Sequence, residues 1–499
     1  MPRRTLELAL LLVLSPSCYS PNQQVAAEEG GDASTSSTAG GLATVSGTET
    51  TTPAETGTEG GADVETTAAT QDVTGGEPVC GDAVVDGDEV CDDGANDGSY
   101  GGCLEDCSGL GPHCGDDAVQ GSEDCDDGDA VNGDGCNVDC RLSATLVWAR
   151  TFDDDYTQAI AIGADDDIVV VSEQARILGF DSDGVPEWDE IYSLLGADDT
   201  RGGAAAYDPG SGWLVGGRAM TPLDSNNAWW RRLDNSGVFG AGGVFDSPSG
   251  SDDRLGGLAF DADGNFVLAG SSYNPEGNQD EGGWLRKYNE DQVLLWAQPF
   301  EDGDPHHTYE VACDFEGNVI AVGTAFSAAD SWDGWVRKYD PEGVLLWARV
   351  VASPGGAADT ISSVAARVDG SVFVGGEQGD DAWVRSYSPG GVEMWSHAYD
   401  SPVTDAGLFT DGVFAVAVSS DGSSVAAGTE VKEDGLPGAW IRKFAEDGDV
   451  LWTLSPFSDM AATSTISMAV AVDSTDSVIV GGQFASDAVM QGWVQKYTP

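Results

Sequence analysis

EVACDFEGNVIAVGTAFSAADSWDGWVRKYDPEGVLLWARVV, residues 310–351, alternates short apolar runs with turn chemistry. Two runs flank DFEGN, the segment GWVRKYD supplies a third, and after PEG the segment VLLWARVV supplies a fourth. Asp-x-x-Gly-Asn and Pro-Glu-Gly between apolar runs are hairpin signals, and no helical period interrupts them. The stretch therefore reads as four antiparallel strands.

The same text recurs. Tryptophan-led segments stand at Trp229, Trp284, Trp335, Trp383, Trp440 and Trp493, spaced 48 to 57 residues apart. A period in this range marks an array of one supersecondary unit. A second tryptophan follows twelve residues later at Trp296, Trp347, Trp395 and Trp452. Phe180 aligns with Tyr339, which makes Arg176 the counterpart of Trp335 and puts Trp188 at the second position. Seven units result. The last has no room for its fourth strand before Pro499, while LVWARTF with Trp148 stands alone ahead of the first unit. The expectation is an all-β, seven-bladed β-propeller over 143–499, its last blade completed by this N-terminal strand so that no edge is left open.

The D-x-x-G-x-x-x-W text at Asp181–Trp188 and Asp340–Trp347 resembles the tryptophan-docking motif of quinoprotein-like propellers. That resemblance implies that Trp148, Trp188, Trp296, Trp347, Trp395 and Trp452 are structural, each indole packed between blades with its N–H on a backbone carbonyl. The unit at Trp229 departs from it. Twelve residues on lies Ala241, within GVFGAGGVF, so that blade is expected to be looser at its outer edge.

The N-terminus has Arg3 and Arg4 before an apolar run from Leu6 to Leu14, too short to cross a bilayer and matching a secretory signal over 1–18. The text Leu14-Ser15-Pro16-Ser17-Cys18 resembles a bacterial lipobox, with its leucine one place further from the cysteine than the family prefers. The resemblance implies lipidation at Cys18 and a protein exported and anchored at the outer membrane or cell surface, or else secreted. Residues 19–79, rich in Ser, Thr, Gly and Glu, bury too little apolar surface to offset ordering entropy and read as a disordered linker. With 86 acidic and 21 basic residues among 499, the formal net charge is −65. Such a chain repels nucleic acid and anionic lipid, so no nucleic-acid partner is expected, and the lipid is the expected contact with a membrane.

Eight of the ten cysteines fall in 80–141, in two quartets: Cys80, Cys91, Cys103, Cys107 and Cys114, Cys125, Cys136, Cys140. A stretch so poor in large apolar side chains needs staples, and four disulfides are expected. If they stay within quartets, three pairings remain open for each. CGDAVVDGDEVCDDG and CGDDAVQGSEDCDDGDAVNGDGCNVDCR resemble the myxobacterial cysteine-rich repeat of bacterial surface lipoproteins, the first copy having GSYGGCLEDC in place of the DGC element. The resemblance implies an extracellular setting and no activity. Asp126, Asp127, Asp129, Asn132 and Asp134 offer hard oxygen ligands suited to calcium, although turn formation explains the same residues. No other cofactor is expected.

Little else points to chemistry. His306 and His307 precede Glu310 in the wrong order for a zinc protease and read as exposed loop residues. Cys313 sits at an apolar strand position and reads as a buried thiol. The pairs Arg286–Lys287, Arg337–Lys338 and Arg442–Lys443 are expected to meet carboxylates of adjacent blades rather than to line an anion site. The reading that accommodates every segment is a non-enzymatic, monomeric surface lipoprotein whose propeller binds a protein or polysaccharide partner. Two alternatives are a quinoprotein- or lyase-type enzyme working in the central funnel, and an envelope-assembly scaffold.

Overall fold

The computed structural model describes residues 80–499 except 86, 88, 122, 124, 127, 129–135, 137–139, 141–143, 154, 222–225, 248–250, 274–281, 301–305, 328–330, 354–355, 400–410, 433–434, 458–463 and 487–488. Signal, linker and Cys18 therefore lie outside the described residues. The chain divides into two compact units, one containing Cys114–Pro499 and the other Gln24–His113. Among the described residues no helix forms, hence none long and apolar enough to cross a membrane.

Seven four-stranded antiparallel sheets follow one another, over 157–191, 199–245, 252–300, 306–351, 359–399 and 412–454, the seventh joining 464–497 to Leu146–Asp153. In that last sheet Trp148 lies opposite Lys496 and Arg150 opposite Val494, so the chain's first strand completes its last blade as expected. Thr145 and Thr498 continue the ladder by two further hydrogen bonds. The first strand of each blade contacts the first strand of both neighbours, which closes the ring.

There is no single core. Buried side chains fall into seven clusters, one at each junction between consecutive blades. Every inner strand carries a β-bulge at the same place, displacing Gln158, Gly203, Gly256, Tyr309, Ser362, Phe414 and Met468 from the pairing. Three residues beyond each bulge stands an alanine: Ala161, Ala206, Ala259, Ala312, Ala365, Ala417 and Ala471. Adjacent sheets converge toward the axis, and a methyl group suits the narrow end of each wedge.

The outer tryptophans join blades as expected, with one exception. The indole N–H of Trp148 donates to Ser182 O, Trp188 to Asn235 O, Trp296 to Pro341 O, Trp347 to Pro389 O and Trp395 to Glu446 O, at 2.8 to 3.3 Å. Each acceptor lies in the turn between the third and fourth strands of the next blade, where a glycine lies under the ring. At Gly391 the φ is +76° and an added Cβ would stand 2.6 Å from Trp347, so both backbone and space demand glycine. Blade two has Ala241 in place of the tryptophan, and the matching turn of blade three has Gln292, at φ 61°, where the others have glycine. Ring and glycine are lost together because each is there for the other. The outer strand of blade two still forms, over Phe239–Phe245, paired along Ala228 to Leu233.

Trp452 is the exception. It is 4% exposed, yet its indole nitrogen has no partner among the described residues. The next blade is the closing one, whose third strand, Val489–Tyr497, and fourth, Leu146–Asp153, are not joined by a hairpin, so no turn between them offers a carbonyl. Ala144, on the approach to the closing strand, packs in the same cluster. Trp347→Phe should therefore destabilise the protein by about 1 kcal/mol more than Trp452→Phe, the worth of one hydrogen bond, in denaturant unfolding. Equal losses would show that the docking carbonyl contributes nothing.

Candidate functional site

The cysteine repeats share one construction. Cys80 bonds Cys107 and Cys91 bonds Cys103; Cys114 bonds Cys140 and Cys125 bonds Cys136. In each quartet the outer two cysteines pair around the inner two, which chooses among the three pairings left open. Such bridges belong to an oxidising, extracellular environment. The first aspartate of each CDDG ties the turn after the leading cysteine. Asp92 accepts the N–H groups of Gly81, Asp82, Ala83 and Gly94, and Asp126 those of Gly115, Asp116, Asp117 and Gly128. Glu123 and Cys140 lie beside Asp126, but that sulfur is committed to Cys114 and is no thiolate ligand. Asp126 thus serves as a turn former, while Asp127, Asp129, Asn132 and Asp134 lie outside the described residues.

In the propeller, the positive side chains after the marker tryptophans turn inward. Lys287 pairs with Asp261 and Lys338 with Asp314, both at 2.8 Å, and Lys496 with Asp473 at 2.7 Å. These carboxylates belong to the same blade, not the adjacent one as expected. The step to the neighbour is made instead by donation to carbonyls, from Lys287 to Pro341, Lys338 to Gly370 and Lys496 to Ser182. In blade five Arg367 stands where these aspartates stand and Ser386 where the lysines stand, and Arg367 donates to Ser386. The arginines stack on rings of the preceding blade: Arg286 on Phe245, Arg337 on Phe300 and Arg442 on Tyr399, at 3.8 to 4.7 Å from the ring centroids. Both sets are structural.

A different charged group occupies one end of the ring. Two residues before each bulge, the inner strand presents Tyr156, Arg201, Arg254, His307, Thr360, Gly412 and Ile466. The second strand places Glu173, Arg218, Ser271, Thr324, Glu377, Thr429 and Gln483 beside them. Charge therefore gathers on blades one to five. Glu173 receives Arg201 at 2.8 Å and, more loosely, Arg218 at 3.5 Å, while Arg201 also grips Asp199. Burial lifts the Glu173 carboxyl above its ordinary range despite the two guanidiniums. Desolvation, with the like charges of Arg254 and Arg201, lowers Arg218. The Trp229 indole donates to both Arg201 O and Arg218 O, fixing the two arginine-bearing strands.

His306 and His307 are not loop residues. They open the inner strand of blade four, His306 2% exposed and His307 half-buried with its ring 4.9 Å from that of Trp332. Aromatic packing outweighs their polarity, and burial next to Arg254 pushes His307 down to about 4. Cys313 is half-buried rather than buried, and desolvation raises its thiol to about 12, which disfavours the thiolate.

Deeper in the wall, Glu310 follows the bulge where other blades have Ala159, Ala204, Gly257, Ser363, Ala415 and Ala469. Its Oε2 accepts the Val364 N–H of the next blade at 3.0 Å, as the Ser363 hydroxyl accepts that of Val416. Both bonds stitch neighbouring inner strands. Burial raises the Glu310 carboxyl to about 7. Sequence reading missed Glu173, Arg201, Arg218, Arg254, Glu310 and Glu377. Aligning the blades on the alanine beyond each bulge would have exposed Glu310 as the one carboxylate in a column of Ala, Gly and Ser, and Arg201 and Arg254 as consecutive cations in theirs.

No family profile matches the sequence, and no curated protein does. Among solved structures, the WD40 β-propeller domain of Doa1 is 14% identical, with a TM-score of 0.46, over 71% of this chain and 97% of that one. A protein of unknown function from Bacteroides caccae is 13% identical, with a TM-score of 0.37, over 59% of this chain and 94% of that one.

The raised Glu310 gives a pH signature. Between its ordinary 4.5 and about 7 the folded chain holds a proton that the unfolded chain releases. Its contribution is full below the lower value and is lost as pH rises through the upper one. Glu310→Gln keeps an acceptor for Val364 but cannot ionise. Its thermal midpoint should exceed that of the native chain at pH 8 and converge with it near pH 4; parallel pH curves would remove the assignment.

Proposed function

We propose that this protein is an exported, lipid-anchored binding module, whose propeller presents a rigid polar rim to an extracellular or envelope partner. The observation that carries this reading is the arc of Glu173, Arg201, Arg218, Arg254 and His307, which four consecutive blades hold at one end of the ring. Buried polar groups cost free energy, and the blades meet this elsewhere with internal pairs; an arc left at a rim instead favours recognition. Disulfides suit the extracellular setting. The lipobox-like Cys18, the acidic linker and the likeness to myxobacterial cysteine-rich repeats support display at a cell surface.

Two measurements test the reading. Pull-down from envelope extracts with the whole chain should retain a protein or polysaccharide, and binding should fall at least tenfold with Arg218→Gln, the cost of about one strong charge-assisted contact. Retention of nothing specific removes the module. Separately, Cys18→Ala expressed in a lipoprotein-processing bacterium should leave the membrane fraction and appear in soluble form. A variant that stays with the membrane refutes the anchor.

A further inference from the structure

We propose that the rim arc over blades one to four is a binding site for a small oxyanionic group, a carboxylate, sulfate or phosphate, held by Arg201, Arg218 and Arg254. This names the ligand chemistry of the binding face inferred above and rests on that reading.

The first ground is an imbalance of charge. Only 21 basic residues occur in the chain, and three of its arginines converge here. Among the described residues the three guanidiniums face two carboxylates: Glu173 serves both Arg201 and Arg218, the second only at 3.5 Å, and Asp199 also takes Arg201. Arg254 has no carboxylate partner among the described residues, and its Nε is buried without an acceptor. His307, the next group along, is uncharged at neutral pH and brings no counter-charge.

The second ground is the contrast with the rest of the ring. Lys287, Lys338 and Lys496 each have a dedicated buried carboxylate, and Arg286, Arg337 and Arg442 each lie on a ring of the preceding blade. Arg254 has neither. A guanidinium left short of acceptors in a partly desolvated place stabilises whatever oxyanion reaches it, and its planar fork fits two oxygens at once.

The net charge of −65 does not forbid this. Fields are screened over about 8 Å at physiological ionic strength, so carboxylates on distant blades contribute little against guanidiniums in contact. Recession matters as well. The Arg218 side chain is 18% exposed and that of Glu173 4%, so a slender anion enters where a folded acidic surface does not.

The test uses the full chain in calorimetric titrations with sulfate, phosphate and glucuronate, at constant ionic strength. At least one anion should saturate, and the preferred one identifies the ligand's source. Arg254→Gln should weaken it roughly tenfold, as expected for one charge-assisted contact, and Arg254→Lys by less. Arg349→Gln, on an outer strand, should bind as the native chain does. Native tryptophan emission in each variant shows that it is folded. The proposal falls if none of the three anions saturates at millimolar concentration, or if Arg254→Gln binds unchanged. A partner from envelope extracts that Arg254→Gln still retains would sink the anion site and leave the binding module standing. A native chain that binds neither an anion nor an envelope partner would remove both.

Discussion

An indole of one blade lying on the glycine turn of the next, its N–H on that turn's carbonyl, is the contact on which the ring depends. A four-stranded sheet alone has two faces to bury and little to bury them with. Here each face is covered by a neighbour, so stability resides in seven junctions. The outer tryptophan locks five of the seven junctions at the rim, and the alanine after each bulge lets the strands converge near the axis. The paired loss of the tryptophan at Ala241 and the glycine at Gln292 shows that the contact is built from both sides.

Closure places a constraint on one junction. Joining the two ends in the last blade removes the open edge of the array, but it also removes the turn that would receive Trp452. That indole keeps its packing and has no acceptor among the described residues. Five junctions therefore dock an indole on a carbonyl, the junction after blade two lacks the indole, and the junction after blade six lacks the turn.

Buried charge follows two regimes in this acidic protein. Within the blades, Lys287, Lys338 and Lys496 each sit on a carboxylate of their own blade and reach the neighbour through a carbonyl, so desolvation is offset locally. On the rim of blades one to four the arginines outnumber their acceptors. Rigid strands hold like charges together there, and the cost of doing so is what makes the place receptive to an anion.

The number of blades, the strand that closes the ring and the docking tryptophans were all legible in the chain, because each repeats with a fixed local spacing. Turn residues and alternation act over a few neighbours and need no tertiary partner to be recognised. The nested cysteine pairing was not legible, since equal spacings permit three arrangements and only folding brings Cys80 to Cys107. Nor was the burial of His306 and His307, which the turn-rich text before them concealed. Arg201, Arg218 and Arg254 look unremarkable in sequence because they belong to different strands and blades. Arg201 and Arg218 pair across one hairpin of blade two, and Arg254 joins them only because the ring sets neighbouring blades side by side around an axis.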